Sequence, residues 1–461
     1  MKHIHFIGIC GVGMGALAIA FHKKGYKVTG SDQGFFPPVS TYLKNADITY
    51  YPGWHPEKMG SPDLVIVGNV AGSTNPEWIF VQKNKIPFMS YPEAIGKYFL
   101  KENSIVCAGT YGKTTNTTLL TWILKYAQYN PSYMFGGISV NNMDAAEITE
   151  GEYSVVEGDE YKTARWDNQP KFAHYSPTHL LLTAVEWDHA DIYPQEDDYK
   201  NVFKTLVANI PNTGVIVACK DGKNTQEILE MAHTNIIWYG KDDADYTYAN
   251  ITQTKNGLEF DILHNNETWH VQTPILGEYN AQNICGSFAM AHTLKIQPEK
   301  ILEALQEFKG LRRRLEKRYS GEIDVIDDIA HSPAKAESVL MNLKKIYSGR
   351  VIAIFEPNTG NRQPESAKSY DEKFSSADEI IIPRLTTIKK DTEKEEPFDG
   401  ATLSQIIQKT HTNVLHIEDD KDLVNHIKNT TEKGDVIAFL GSHGFRGMIE
   451  DTVKMLEEKE G

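Results

Sequence analysis

Cysteine is scarce in this chain. Its 461 residues hold four, at positions 10, 107, 219 and 285, and no two of them form a CxxC pair. That excludes a disulfide framework and a thiolate zinc site, and the four read as buried thiols of a reducing compartment. Positive charge is also in short supply. Asp and Glu number 62 against 47 Lys and Arg, a formal net charge of −15, whereas a nucleic-acid groove needs a concentrated basic face. An anionic small molecule remains admissible, because a few local Arg and Lys suffice to bind one. No apolar run approaches the roughly 20 residues of a membrane span. Residues 1–20 have the basic start, apolar middle and Ala-x-Ala end of a secretion signal, but His5 and closely spaced glycines interrupt them. A strand–turn–helix explains every residue there, so a cytoplasmic protein without membrane insertion is the expectation.

What is present is an ordinary globular composition, 40% apolar and 24% charged, in a chain long enough for two to four domains. The first ninety-odd residues alternate strand and helix signals: strands at 2–9, 26–31 and 63–70, a helix at 14–24 and another from Asn75-Pro76. That rhythm implies a mainly parallel sheet covered by helices. A connector at 90–94 leads to an apolar strand at 104–108, and helical character resumes at 117–126. Residues 245–272 alternate polar and apolar, the pattern of an antiparallel annex. Residues 308–311 read as a linker, after which strands are expected at 323–328, 350–355, 379–383 and 435–440, with a helix at 333–347. Three α/β domains in series follow, at 1–97, 98–310 and 311–461.

Between the strand at 104–108 and its helix lies Gly109-Thr110-Tyr111-Gly112-Lys113-Thr114-Thr115. A glycine loop ending in Lys-Thr and opening a helix wraps nucleoside triphosphate phosphates with backbone N–H groups. Lys113 would reach the β/γ-phosphates and the Thr114 hydroxyl would sit on Mg²⁺. The usual pattern has glycine at position 107, where this chain has Cys107. A second loop, Gly8 to Ala16, contains GxGxxA at Gly11, Gly13 and Ala16, with Asp32 nearly twenty residues on. It favours a diphosphate at a helix N-terminus, which NAD, FAD or a UDP-sugar could supply. Glu157-Gly-Asp-Glu160 and Asp188-His189 end strands, where carboxylates and a histidine could hold divalent cations. Asn280 and Asn283 suit helix capping or a purine edge, capping being the better reading of their spacing. Arg312–Arg314 at the linker reads as a solvated charge run or as a clamp for a γ-phosphate. Asp327-Asp328 with His331 could meet ribose or metal, or cap the helix that follows.

These motifs, in this order, resemble the Mur ligases, the ATP-dependent amino-acid ligases of peptidoglycan synthesis. The resemblance rests on Gly8 to Gly15, the loop 109–115, Glu157, Asp188-His189, Tyr279-Asn280 with Asn283, Gly310 with Arg313-Arg314, and Asp327-Asp328 with His331 and Pro333. It implies a UDP-binding Rossmann-like domain, a central P-loop ATPase and a Rossmann-like C-terminal domain for the amino component. It further implies an acyl phosphate, formed from ATP on the lactyl carboxylate of UDP-MurNAc and attacked by an amine. Lys113, Glu157, His189 and Arg314 would be catalytic, and Thr114, Glu157 and His189 would hold Mg²⁺. ATP would meet Gly109, Thr110, Gly112, Lys113, Thr114, Thr115, Asn280, Asn283, Arg314 and Asp328. The UDP-sugar would meet Gly11, Gly13, Ser31, Asp32 and Asn69. Several stretches, among them Val67-Gly-Asn69, 157–161, 171–177, 186–192, Phe355-Glu-Pro357 and 441–445, resemble members that attach a murein tripeptide, L-Ala-γ-D-Glu-meso-diaminopimelate. Members that add L-alanine are the near alternative. Asn358, Arg362, Arg384, Ser442 and His443 are the peptide-binding candidates, and a monomer or weak homo-oligomer is expected. Tyr111, Asn116 and Ser332 depart from the family's usual His, Thr and His. Lys204, fifteen residues after His189, has the spacing of a carbamylated metal ligand, although a helix-surface lysine is the preferred reading. An NAD-dependent oxidoreductase would leave Lys113-Thr114 unexplained, and a non-catalytic nucleotide-binding scaffold has only Tyr111 in its favour.

Overall fold

A computed structural model of the chain describes residues 2–188, 192–386 and 397–460. They form two compact units. The first takes in the residues up to Ile251 with Glu259–Thr273 and Tyr279–Lys309; the second holds the chain from Gly310 with Thr252–Leu258 and Pro274–Glu278.

The first unit opens with a five-stranded parallel sheet in the order Thr49–Pro52, Lys27–Asp32, His3–Ile7, Leu64–Val67, Phe88–Ser90. His3–Ile7 and Leu64–Val67 are buried at every position, as strands covered on both faces must be. The first strand ends at Ile7 because Gly8 turns the chain with φ +89°. The chain reverses direction across the sheet at this central strand, so the Gly8–Gly11 loop lies at a topological switch point. Two short flanking strands had no sequence signal, being only three and four residues long. The stretch expected as a connector at 90–94 instead begins a helix, Tyr91–Tyr98. Ser90 accepts from Glu93 N while the Glu93 carboxylate accepts from Ser90 N at 2.7 Å, a capping box contributing about 1 kcal/mol.

The second sheet of this unit has ten strands, with Tyr153–Gly158, Asn103–Ala108 and His179–Leu182 side by side and parallel. Val215–Cys219 and Asn235–Gly240 extend it, followed by Tyr246–Thr254, Gly257–His264 and Glu267–Thr273, the expected annex. Asn265 and Asn266, with φ of 48° and 66°, make the tight turn between the last two strands. The phosphate-loop helix runs Lys113–Tyr126, four residues earlier than expected, because its first turn is polar. Thr117, Thr118 and Thr121 are fully buried on it, and each hydroxyl donates to the carbonyl four residues back at 2.7–2.8 Å. Those bonds remove the cost of burying three hydroxyls.

The second unit carries a six-stranded sheet ordered Glu316–Ser320, Asp324–Asp328, Val436–Gly441, Val351–Glu356, Glu379–Pro383, Val414–Ile417. Only Glu316–Ser320 pairs antiparallel. Helix Pro333–Ile346 lays Leu340 and Leu343 on Ile326, Ala353, Phe355 and Leu440. Leu423, Ile427 and Leu456 cover Val325, Ile354 and Phe439 from the other side. Each fully buried Leu or Phe contributes roughly 1.5–3 kcal/mol. Val414–Ile417 was not expected, and three of its four residues are only half-buried.

Candidate functional site

The phosphate loop is built by the strand Asn103–Ala108 and the helix Lys113–Tyr126. Position 107 lies inside the strand, where Cys107 pairs with Glu157 across the ladder, so no glycine is required there. Burial lifts its thiol to about 12. Gly109 is required: its φ is +127°, and a Cβ there would sit 2.1 Å from Thr183 Oγ1. Thr183 in turn donates to Tyr111 O at 2.7 Å, and Thr110 Oγ1 donates to Glu186 O at 2.8 Å, so side chains lock the loop backbone. Tyr111, the departure from histidine, is 60% exposed.

Parallel pairing aligns Ala108 with Gly158 and so brings Glu157 beside the loop. Glu157 Oε1 accepts from Thr114 Oγ1 at 2.9 Å, and Oε2 accepts from Gly136 N at 2.8 Å. Desolvation pushes its carboxyl up, opposed by those two donors and by Lys113. A hydroxyl and a carboxylate oxygen converging here are hard ligands, the donor set Mg²⁺ takes alongside phosphate and water. His189, the third expected ligand, lies outside the described residues. Lys113 Nζ donates to Gly109 O at 2.8 Å and pairs with Glu160 at 2.9 Å, a carboxylate that is only 1% exposed. Thr115 is half-buried on the first helical turn.

Asn280 and Asn283 lie on the helix Tyr279–Thr293 and are buried behind the loop. Asn283 Oδ1 accepts from Asn116 Nδ2 at 3.0 Å, and Asn283 Nδ2 donates to Asn280 Oδ1 at 3.0 Å. Asn116 Nδ2 also donates to Gly112 O, and Ser287 Oγ donates to Asn116 Oδ1 at 2.9 Å. Asn116, a departure at the sequence level, is thus the hub of the network that seats Gly112. Lys204 pairs with Glu227 at 2.8 Å on the surface of the helix Glu196–Ala208, as the preferred reading had it.

The N-terminal loop faces the same space. A cavity of about 400 Å³ is lined by Gly11, Gly13, Asn69 and Tyr91 on one side and by Gly136, Glu157, Asp159 and Lys171 on the other. A Cβ at Gly13 would lie 2.9 Å from the Tyr91 hydroxyl, so glycine keeps the loop against that ring. Of the five UDP-sugar candidates, Gly11, Gly13 and Asn69 line the cavity. Asp32 accepts from Cys10 N and Gln33 N, each at 2.8 Å, and shapes the loop from beneath. Ser31 is fully buried and its hydroxyl donates to Glu77, which also accepts from Tyr51 OH at 2.7 Å and His55 N at 2.8 Å. Glu77, Glu160, Asp159 and Lys171 were missed as site residues. The last three lay inside quoted motifs, but only parallel strand alignment and a hairpin bring them together.

In the second unit, Asp328 accepts from Leu315 N at 2.7 Å and Ala330 N at 2.8 Å, and burial raises its carboxyl to about 6. It does not cap the helix after Ser332, and Ser332 makes no side-chain cap bond either. Arg314 is exposed, while Arg313 donates to Ser442 O at 3.0 Å and His443 O at 2.9 Å. Among the peptide candidates, Arg362 is buried and donates to Phe398 O and Thr386 O at 3.0 and 2.8 Å. It is a brace for those loops, not an open carboxylate grip. Asn358 caps the short helix Thr359–Arg362, His443 is exposed, and Ser442 Oγ is buried with no partner among the described residues. Arg384 pairs with Asp420 at 2.9 Å, and Arg446 grips the same carboxylate with two bonds of 3.0 Å while reaching Glu356 at 3.3 Å. Glu356 lay inside the quoted stretch Phe355-Glu-Pro357, whereas Asp420 and Arg446 had no motif to mark them.

Comparisons with known proteins bear on the whole chain. Residues 3–102 match the family "Mur ligase family, catalytic domain", 107–291 "Mur ligase middle domain", and 313–443 "Mur ligase, glutamate ligase domain". The chain is similar to the Escherichia coli (strain K12) "UDP-N-acetylmuramate--L-alanyl-gamma-D-glutamyl-meso-2,6-diaminoheptandioate ligase", 30% identical over 463 residues, 99% of this chain and 98% of that one. It is equally similar to the "UDP-N-acetylmuramate--L-alanine ligase" of Caldanaerobacter subterraneus subsp. tengcongensis, 31% identical over 469 residues, 100% and 98% of the two chains. The crystal structure of the UDP-N-acetylmuramate-alanine ligase from Thermotoga maritima shares the fold, with a TM-score of 0.80 at 22% identity over 100% of both chains. No helix among the described residues is long and apolar enough to cross a membrane.

Proposed function

Because the chain belongs to the Mur ligase family, we propose that it joins the lactyl carboxylate of UDP-MurNAc to the amine of L-Ala-γ-D-Glu-meso-diaminopimelate. It is an ATP-dependent carbon–nitrogen ligase; the choice of these two substrates is our reading. The observation that carries it is a cavity of about 400 Å³ walled both by the Gly11–Gly13 loop and by Glu157, whose carboxylate holds Thr114 at 2.9 Å. A donor tethered by its diphosphate at one wall presents its carboxylate to the phosphate machinery at the other. An NAD enzyme has no use for that second wall.

The carboxylate oxygen attacks the γ-phosphorus, the bond to ADP breaks, and ADP leaves with the electron pair. The peptide amine then attacks the acyl carbon, and phosphate departs as the amide forms. Lys113, held ready by Glu160 at 2.9 Å, moves its charge onto the phosphate oxygens. Thr114 and Glu157, with His189 expected beside them, would hold Mg²⁺, which supplies charge against the phosphates. Gly11, Gly13 and Asn69 receive the UDP-sugar. Arg314 and Asp328 remain our ATP-side candidates in the second unit, and Arg384, Ser442 and His443 our acceptor-side ones. Our reading places the reaction in the cytoplasm, in keeping with four free cysteines, three of them buried.

The segment 171–177, which follows the cavity-wall hairpin, favours the tripeptide acceptor, because it is among the stretches that resemble the tripeptide-adding members. The Caldanaerobacter relative, 31% identical along the whole chain, favours L-alanine. Phosphate release from ATP and UDP-MurNAc separates them. Turnover with tripeptide and not with L-alanine is expected; turnover with L-alanine alone would sink the assignment.

A further inference from the structure

We propose that Lys171 grips the donor's carboxylate in the first unit, an assignment that rests on the ligase reading above. The cavity wall carries two carboxylates, Glu157 and Asp159, and Lys171 is the single cation among its lining residues. An anionic donor entering there meets repulsion from both acids unless a fixed positive charge receives it. Lys171 is such a charge. Its ammonium is bonded to Asp159 Oδ2 and lies 5.9 Å from the ring centroids of both Tyr91 and Tyr161. Its side chain retains 19% exposure, so the head is anchored without being sealed. Anchoring before the ligand arrives avoids the ordering cost of a long side chain on binding.

The position also has a plain structural use. Asp159 and Lys171 flank the hairpin Lys162–Ala164 and Asp167–Pro170, and Lys171 N donates to Tyr161 O at 2.9 Å, so the ion pair staples the hairpin base. A staple needs the pair and is indifferent to which partner is lost. A carboxylate grip needs the lysine far more than its anchor. Phosphorylating a carboxylate brings two anions together, and an ammonium at that point lowers the barrier as well as holding the donor.

The test uses full-length protein with ATP, Mg²⁺, UDP-MurNAc and hydroxylamine, without peptide. Hydroxylamine attacks the acyl carbon of the acyl phosphate, phosphate leaves, and the hydroxamate is measured. Lys171→Met is expected to raise the UDP-MurNAc KM by about 10- to 100-fold, the effect of losing one charge-assisted bond, with the ATP KM within about twofold of the unaltered protein. Lys171→Arg should recover most of the loss, and Asp159→Asn should cost less than Lys171→Met at equal or greater loss of Tm. A Lys171→Met donor KM within twofold of the unaltered protein would overturn the assignment alone. Equal losses for Lys171→Met and Asp159→Asn, tracking Tm, would also overturn it in favour of the staple. No hydroxamate from the unaltered protein would overturn the ligase reading itself and this assignment with it.

Discussion

Removing the Asn116 side chain should loosen the phosphate loop from behind. Asn116 is fully buried and makes three hydrogen bonds, to Gly112 O at 3.0 Å, Asn283 Oδ1 at 3.0 Å and from Ser287 Oγ at 2.9 Å. At about 1 kcal/mol per bond, Asn116→Ala loses roughly 3 kcal/mol, since the deserted partners stay buried. For a domain of this size each kcal/mol moves Tm by about 2–4 °C, so a fall of roughly 6–12 °C is expected. Gly112 holds φ +75° directly against Asn283 Oδ1, so the ATP KM should rise as well. Thermal and urea unfolding followed by tryptophan fluorescence, with phosphate release against ATP concentration, read both effects. Asn116→Thr should be intermediate, because a threonine can still donate to Gly112 O as Thr117 does to Lys113 O. The double variant with Asn283→Ala should cost about 1–2 kcal/mol less than the sum of the singles, because each single leaves the other's partner unpaired. Additivity within about 0.5 kcal/mol, or a Tm loss under 2 °C, would refute the network as the loop's support.

Gly109→Ala would drive a Cβ to 2.1 Å from Thr183 Oγ1 and 2.9 Å from Ala184 O. It should lower kcat/KM for ATP by at least about tenfold with an unchanged far-ultraviolet circular dichroism spectrum; full activity would mean the loop can relax. The Asp328 carboxyl is raised by burial from 3.8 to about 6, so it is buried as an anion at neutral pH at a cost and as a neutral acid at low pH without one. That cost is absent below pH 4, grows as pH rises through 4–6 and reaches roughly 3 kcal/mol above it. Asp328→Asn should therefore gain relative to the parent across that window in urea midpoints, and parallel curves would contradict the assignment. Arg446→Met deprives Asp420 of two bonds and Glu356, 1% exposed, of its cation. Because the arginine is 27% exposed, a loss of roughly 2–3 kcal/mol is expected; a change below 0.5 kcal/mol in chemical denaturation would make the cluster a surface ornament.

Most of the fold was legible because its strands announce themselves. Leu64–Val67 and Val436–Gly441 are buried at every position and read as continuous apolar runs, and His3–Ile7, equally buried, was marked by its place before the glycine loop despite its two histidines. Thr49–Pro52 and Val414–Ile417 are edge strands with half-exposed residues, and their composition resembles loop. The connector at 90–94 hid a helix because Ser, Pro and Glu mark a helix start as well as a turn, and only the reciprocal Ser90–Glu93 bonds decide between them. Among the candidate site residues, Thr114 and Glu157, which the structure brings to 2.9 Å from one another, were marked by motif and spacing. Glu160, Asp159 and Lys171 were not, since nothing local distinguishes a carboxylate that holds Lys113 from one that faces solvent.

The sequence by itself determined the chemistry the loops can perform. Glycine spacing, a Lys-Thr pair and a helix start dictate phosphate binding through backbone geometry that a dozen residues specify locally. Tertiary structure decided which side chains serve that chemistry. Ser31 and Arg362 carry suitable groups but are committed to Glu77 and to backbone carbonyls. Asn116, an oddity on the page, is the hub beneath Gly112. A side chain's role depends on the partners within about 3 Å of it, and those come from strands and helices up to 171 residues away in the chain.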